Sequence, residues 1–202
     1  MAQAIEFYYD FSSPYGYAAI GGIEALAKRH GRGLIWKPFL LGAAFKVTGG
    51  QPLTTLSPIK TAYFAKDFAR SARRYGLPFK MPSTFPLPTI PTARGHYWLE
   101  SAKGADAAIA YSKASYRAFF GDDKDISRPE TCADIAAGLG HDRAAFLAGI
   151  NEQPVKDRLK AVTEEAIARG VFGSPFFIVD GEAFWGADRL DMIDEWLKRG
   201  GW

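Results

Sequence analysis

The chain has 202 residues, of which 48% are hydrophobic and 14% aromatic, which suits one packed domain or one domain carrying a large insertion and excludes a disordered chain. A formal charge of +3 is too small to argue for a nucleic-acid surface, and no apolar run approaches the ~18 residues of a membrane span. One cysteine, Cys132, and three scattered histidines exclude an intrachain disulfide, a C-x-x-C redox pair and any familiar metal-ligand spacing.

Met1 to Tyr9 reads as a strand rather than a basic, apolar leader, so a soluble cytoplasmic protein is expected. Within it, "AIEFYYDF" (Ala4 to Phe11) is aromatic and β-branched enough for a buried strand. Ile20, Ile23, Leu26 and Ala27 then fall at helical spacing between Pro14 and His30, and Gly31 stops that helix. "GLIWKPFLL" (Gly33 to Leu41) is a second strand, parallel to the first because a helix separates them.

From about Ser57 to Asn151 the pattern turns helical, broken by proline-rich loops. Ser57 and Pro58 open a strong helix that Gly76 follows. Further helices are predicted at Thr92 to Ala102, Ala105 to Phe119, Pro129 to Leu139 and Arg143 to Ala148. Cys132 falls in the third of these as a small buried hydrophobe. "QPVKDRLKAVTEEAIARG" forms another, with Val155, Leu159, Val162 and Ala166 on one face. Strand patterning returns in "SPFFIVDGEAFWG", a hairpin about Asp180-Gly181, and "DRLDMIDEWLKRGGW" closes as a helix with Asp188 as its expected cap.

The junction "DFSSPYGY" raises the functional question. Ser13 before Pro14 is a common N-cap and needs no further role, and Ser12 reads as a structural neighbour. A helix N-terminus also offers free N–H groups and a positive dipole end, where a thiolate is stabilised.

The order β-α-β, helical block, β-β-α, with Ser174-Pro175 opening the third strand, resembles the thioredoxin architecture in its DsbA-like form. The expected division is a thioredoxin-like unit at 1–50 plus 155–202 with a helical insertion at about 51–154. Redox members carry C-P-x-C where this chain has Ser13-Pro14-Tyr15-Gly16, so dithiol chemistry is excluded. With serine there, "DFSSPYGY" and "GVFGSPFFIVDGEAFWGADRL" together are similar to the 2-hydroxychromene-2-carboxylate isomerases and their relatives, the kappa-class glutathione transferases.

That resemblance implies glutathione as the source of the missing thiol, with Ser13 donating a hydrogen bond to its sulfur. It implies a cis Pro175 that presents the backbone of Ser174 to the cysteinyl unit, and Trp185, Gly186, Ala187 and Asp188 around the γ-glutamyl end. It implies an aromatic carboxylate substrate of the kind met in naphthalene-like degradation, and a homodimer without nucleic acid or membrane partners. Lys46 is the candidate for the substrate carboxylate; Tyr15, Tyr17 and Phe45 are candidates for an apolar wall, with "PLPTIPTAR" contributing from the helical block. Gly50 is a further substrate-side candidate, at a position where relatives often have Asn in a Gly-Asn-x-Pro stretch that contacts ligands and this chain departs from them. Glutathione-dependent isomerisation leads; a kappa-like transferase and a thiol-free peptide-binding module are the alternatives. A serine hydrolase is remote, because no histidine stands in a recognisable triad context.

Overall fold

The computed structural model describes residues 3–202. At its centre β1 (Ile5–Tyr9) pairs in parallel with β2 (Leu34–Pro38) and antiparallel with β3 (Phe176–Val179). Strand β4 (Glu182–Trp185) completes a four-stranded sheet of order β2-β1-β3-β4. The β3–β4 turn places Asp180 and Gly181 at φ of 53° and 89°, the two left-handed positions that a tight hairpin requires. Strand β1 begins at Ile5; the predicted reach back to Met1 falls partly on residues 1 and 2, outside the described residues.

The single helix expected over Pro14 to His30 is two, α1 (Pro14–Ile20) and α2 (Ile23–Arg29), broken at Gly21-Gly22. Space decides the break: Tyr75 packs into it, and a Cβ on Gly21 would lie 2.5 Å from the Tyr75 Cβ. The second strand is shorter than predicted, and the segment after it contains α3 (Leu41–Thr48). Its first residues lack a local side-chain cap, which is why the sequence pattern hides it.

The helical block follows as α4 (Pro58–Arg74), α5 (Ile90–Lys103), α6 (Ala105–Phe120), α7 (Pro129–Gly138) and α8 (Arg143–Gly149). The Ser57 hydroxyl accepts from the Lys60 N–H at 3.3 Å, as the Ser-Pro signal predicts. After α9 (Gln153–Ala168) and the hairpin, α10 (Leu190–Arg199) ends the chain. Asp188 does not cap α10: it lies in a 3₁₀ turn at Ala187–Arg189, and its carboxylate pairs with Arg189 at 3.3 Å instead.

Strand alternation sends Ile5, Phe7, Tyr9, Phe177 and Val179 into the main core, which the inserted helices share. Tyr8, Phe176 and Ile178 face a smaller core with Ala44 of α3 and Ala166 of α9. Among the buried aromatics, Tyr9 Oη donates to Ser112 Oγ at 2.9 Å, and that hydroxyl lies 2.8 Å from His96 Nδ1. Burial pushes the His96 imidazole down to about 3. No helix among the described residues is long and apolar enough to cross a membrane.

Candidate active site

A cleft of about 1450 Å³ opens between the β1–α1 turn, α3, α4, the segment 85–90 and two stretches near β3 and β4. Its inner corner is built around the short link from β1 to α1. Ser13 is 6% exposed there, and its hydroxyl has two partners. It accepts from the Gly16 N–H at 3.0 Å, the cap bond, and donates to the Ser174 carbonyl at 2.7 Å. The Ser174–Pro175 peptide is cis, which sets that carbonyl beside the start of α1. Capping and cleft lining thus fall on one hydroxyl.

Asp10 organises the corner, and the sequence reading passed over it. Its Oδ1 accepts from the Ser12 N–H and Ser12 hydroxyl, both at 2.8 Å, and from the Thr89 hydroxyl at 3.0 Å. Its Oδ2 accepts from the Leu41 N–H at 2.8 Å, capping α3 from another part of the chain. Its own N–H donates to Ser174 Oγ at 2.9 Å, and its carbonyl accepts from Ser13 N–H and from Tyr116 Oη. An acidic residue closing a strand, two positions before Ser12, was the sole local signal; Leu41, Thr89, Tyr116 and Ser174 lie far off in the chain.

Ser13, Tyr15, Lys46, Ser174, Trp185, Gly186, Ala187 and Asp188 all border the cleft. Pro175 sits behind that wall, its carbonyl accepting from the Gly186 N–H at 3.1 Å. Gly50 is also off the wall, against the ring of Phe45, where a Cβ would lie 2.4 Å from Cδ1. Phe45 does line the cleft, but Tyr17 does not: it is buried in the core with its hydroxyl on the Pro78 carbonyl at 2.7 Å. Burial pushes that phenol up to about 12. From "PLPTIPTAR" the cleft takes residues through Ile90, whereas Arg94 stays off it.

The cleft has two characters. Toward Ser13 it is polar, and Trp185 leans over Gly173, where a Cβ would meet the indole Nε1 at 2.1 Å. Phe172 stands edge-on to that indole at 4.8 Å. Toward α4 the wall is aromatic, with the Phe68 ring packed against both Phe64 and Phe85. Burial, then the Asp67 carboxylate accepting its hydroxyl proton at 2.6 Å, hold the Tyr15 phenol far above its ordinary range. Tyr15 is therefore a neutral donor and wall rather than a base.

Charged groups on the cleft are mostly matched. Asp67 also holds Arg70 at 2.7 Å, Arg74 reaches Asp191 at 2.6 Å, and Asp188 holds Arg189. Among the described residues Lys46 and Arg73 border the cleft without an ion-pair partner, which leaves both free for an anionic ligand. Cys132 is buried on α7 and is not part of the cleft.

A family model described as a DSBA-like thioredoxin domain matches residues 4–198. A 2-hydroxychromene-2-carboxylate isomerase of Sphingobium xenophagum is 30% identical over 202 residues, covering 98% of this chain and 99% of the relative. A kappa 2 glutathione S-transferase of Caenorhabditis elegans is 26% identical, covering 96% and 92%. Among solved structures, that of a 2-hydroxychromene-2-carboxylate isomerase superposes with a TM-score of 0.86 at 27% identity, covering 98% of this chain and 95% of the other.

Proposed function

The chain belongs to the DSBA-like thioredoxin family, and on that footing we propose that it is a glutathione-dependent isomerase of 2-hydroxychromene-2-carboxylate-type intermediates. The observation that carries the reading is the Ser13 hydroxyl, held at the inner corner of an aromatic cleft beside the Ser174 carbonyl, in a chain whose one cysteine is elsewhere and buried.

The residues present suit glutathione. The Ser174 carbonyl, which takes the Ser13 proton in the free protein, would accept a peptide N–H of the ligand once that proton turns away. Asp188 and Arg189 offer a carboxylate and a guanidinium, complementary to the ammonium and carboxylate of a γ-glutamyl group. When bound, glutathione would supply a sulfur nucleophile that adds reversibly to an activated double bond, allows rotation about it, and leaves intact. Ser13 would keep its oxygen on the Gly16 N–H and give its proton to the bound sulfur in place of the Ser174 carbonyl, favouring the anion. Phe64, Phe68 and Phe85 hold the ring and exclude water, and Lys46 or Arg73 faces its carboxylate.

The test mixes the protein with 2-hydroxychromene-2-carboxylate, with and without glutathione, and follows the ultraviolet spectrum. Conversion to the trans-o-hydroxybenzylidenepyruvate product, the ring-opened isomer that keeps every atom of the substrate, is expected only with glutathione. Ser13→Ala should lower turnover about 100-fold, the order seen when one transition-state donor is lost, while losing the cap costs about 1 kcal/mol of stability. Absence of glutathione-dependent conversion overturns the reading, and faster conjugation of a generic electrophile moves the chain to the transferase side. The same reading includes a cytoplasmic homodimer, checked by sedimentation of the purified protein and by cell fractionation.

A further inference from the structure

Asp10 is 5% exposed, and its side chain is met by four donors, all neutral. Among the described residues it forms no ion pair, so a carboxylate acts here purely as an acceptor. Those donors come from three separate walls of the cleft: the β1–α1 turn through Ser12, the start of α3 through Leu41, and the segment before α5 through Thr89. Through its backbone the same residue holds a fourth, at Ser174.

We propose that Asp10 is a positioning residue that locks these walls around Ser13 and whose negative charge raises the pKa of a thiol bound beside that serine, keeping the thiolate basic enough to be a strong nucleophile. The inference rests on the glutathione reading above. A thiolate next to Asp10 is a second negative charge, and like charges disfavour ionisation. Nucleophilicity rises with thiol pKa while the thiolate fraction falls, so the best attacking thiol has a pKa near the working pH; Ser13 and the α1 N-terminus pull it down and Asp10 keeps it from falling further. The other charges on the cleft do not offset Asp10 directly. Asp67 and Arg70 pair on α4, Arg74 pairs with Asp191, and Asp188 with Arg189, while Lys46 and Arg73 are exposed. Tyr116 of α6 gives its proton to the backbone carbonyl of Asp10 and leaves the carboxylate alone.

Two variants separate this role from a structural one. Asp10→Asn keeps the shape and removes the charge; Thr89→Val keeps the charge and removes one donor that disperses it. The readout is the thiolate absorbance of glutathione bound to each protein, titrated against pH. In Asp10→Asn the midpoint should move about one pH unit to the acid side, the size of a like-charge effect at close range. In Thr89→Val it should move by a fraction of a unit to the alkaline side. Hydrogen exchange at the Leu41 amide should quicken in Asp10→Asn. A purely structural role predicts shifts of one sign in both variants, and that result, or an unmoved midpoint, overturns the proposal. If Asp10→Asn does not fold, Thr89→Val decides: an alkaline shift supports the proposal, and any other result overturns it. Wild-type protein that binds no glutathione overturns the underlying reading, and this inference with it, before any variant is made.

Discussion

Tyr9 and Asp10 are neighbours at the end of β1 and serve two different polar clusters. Tyr9 points into the core, where its hydroxyl joins Ser112 and His96 in a neutral group sealed from solvent. The His96 Nε2 has no partner among the described residues. Asp10 faces the cleft, where a carboxylate with every contact satisfied ties loops together. One residue of alternation separates a cluster that sets stability from one that shapes a site. A buried neutral group costs little until pH charges it, whereas a buried carboxylate must be met by donors from the outset.

The largest effect that separates the two is the pH dependence of stability. His96 is held down to about 3 when folded and titrates near 6.5 when unfolded, so the unfolded state binds the extra proton. Stability is therefore complete above pH 6.5 and falls as pH drops below it, by about 2 kcal/mol at pH 5. Urea unfolding of His96→Asn should show that slope flattened between pH 7 and 5; an unchanged slope breaks the comparison on its core side. Next comes Tyr9→Phe, which removes one buried hydroxyl but leaves Ser112 bonded to His96. It should cost about 1 kcal/mol in the same unfolding measurement, with kcat unchanged. The smallest effect on stability and the sharpest for the cleft is Gly173→Ala. Its Cβ displaces the Trp185 indole, which is 54% exposed and free to swing away. KM for glutathione should rise several-fold with kcat and thermal midpoint nearly constant; a fall in the midpoint instead would place Trp185 in the fold rather than the site.

Much of the framework was legible because its signals are local. Ser13-Pro14 and Ser57-Pro58 announce helix starts within four residues, and Asp180-Gly181 announces its hairpin. The same locality misled at Asp188, where an acidic residue ahead of a helix suggested a cap but a 3₁₀ turn intervenes. It also hid α3, whose first N–H finds its acceptor on Asp10, and it ran α1 and α2 together because Tyr75 forces them apart. Ser13, Ser174 and Trp185 to Asp188 border the cleft; Phe172 and Thr89 do too, unmarked within the two stretches that contain them, and Arg73 stands out in no pattern.

From the chain alone come the strands, most helices, the absence of a dithiol and the serine that takes its place, since each depends on residue type or on neighbours a turn away. Tertiary structure alone decided that Asp10 joins Leu41 and Thr89 to its near neighbour Ser12, and that the Ser13 proton rests on Ser174. Those contacts span 2 to 161 residues, and the long ones exist only after the sheet has brought β1 and β3 side by side.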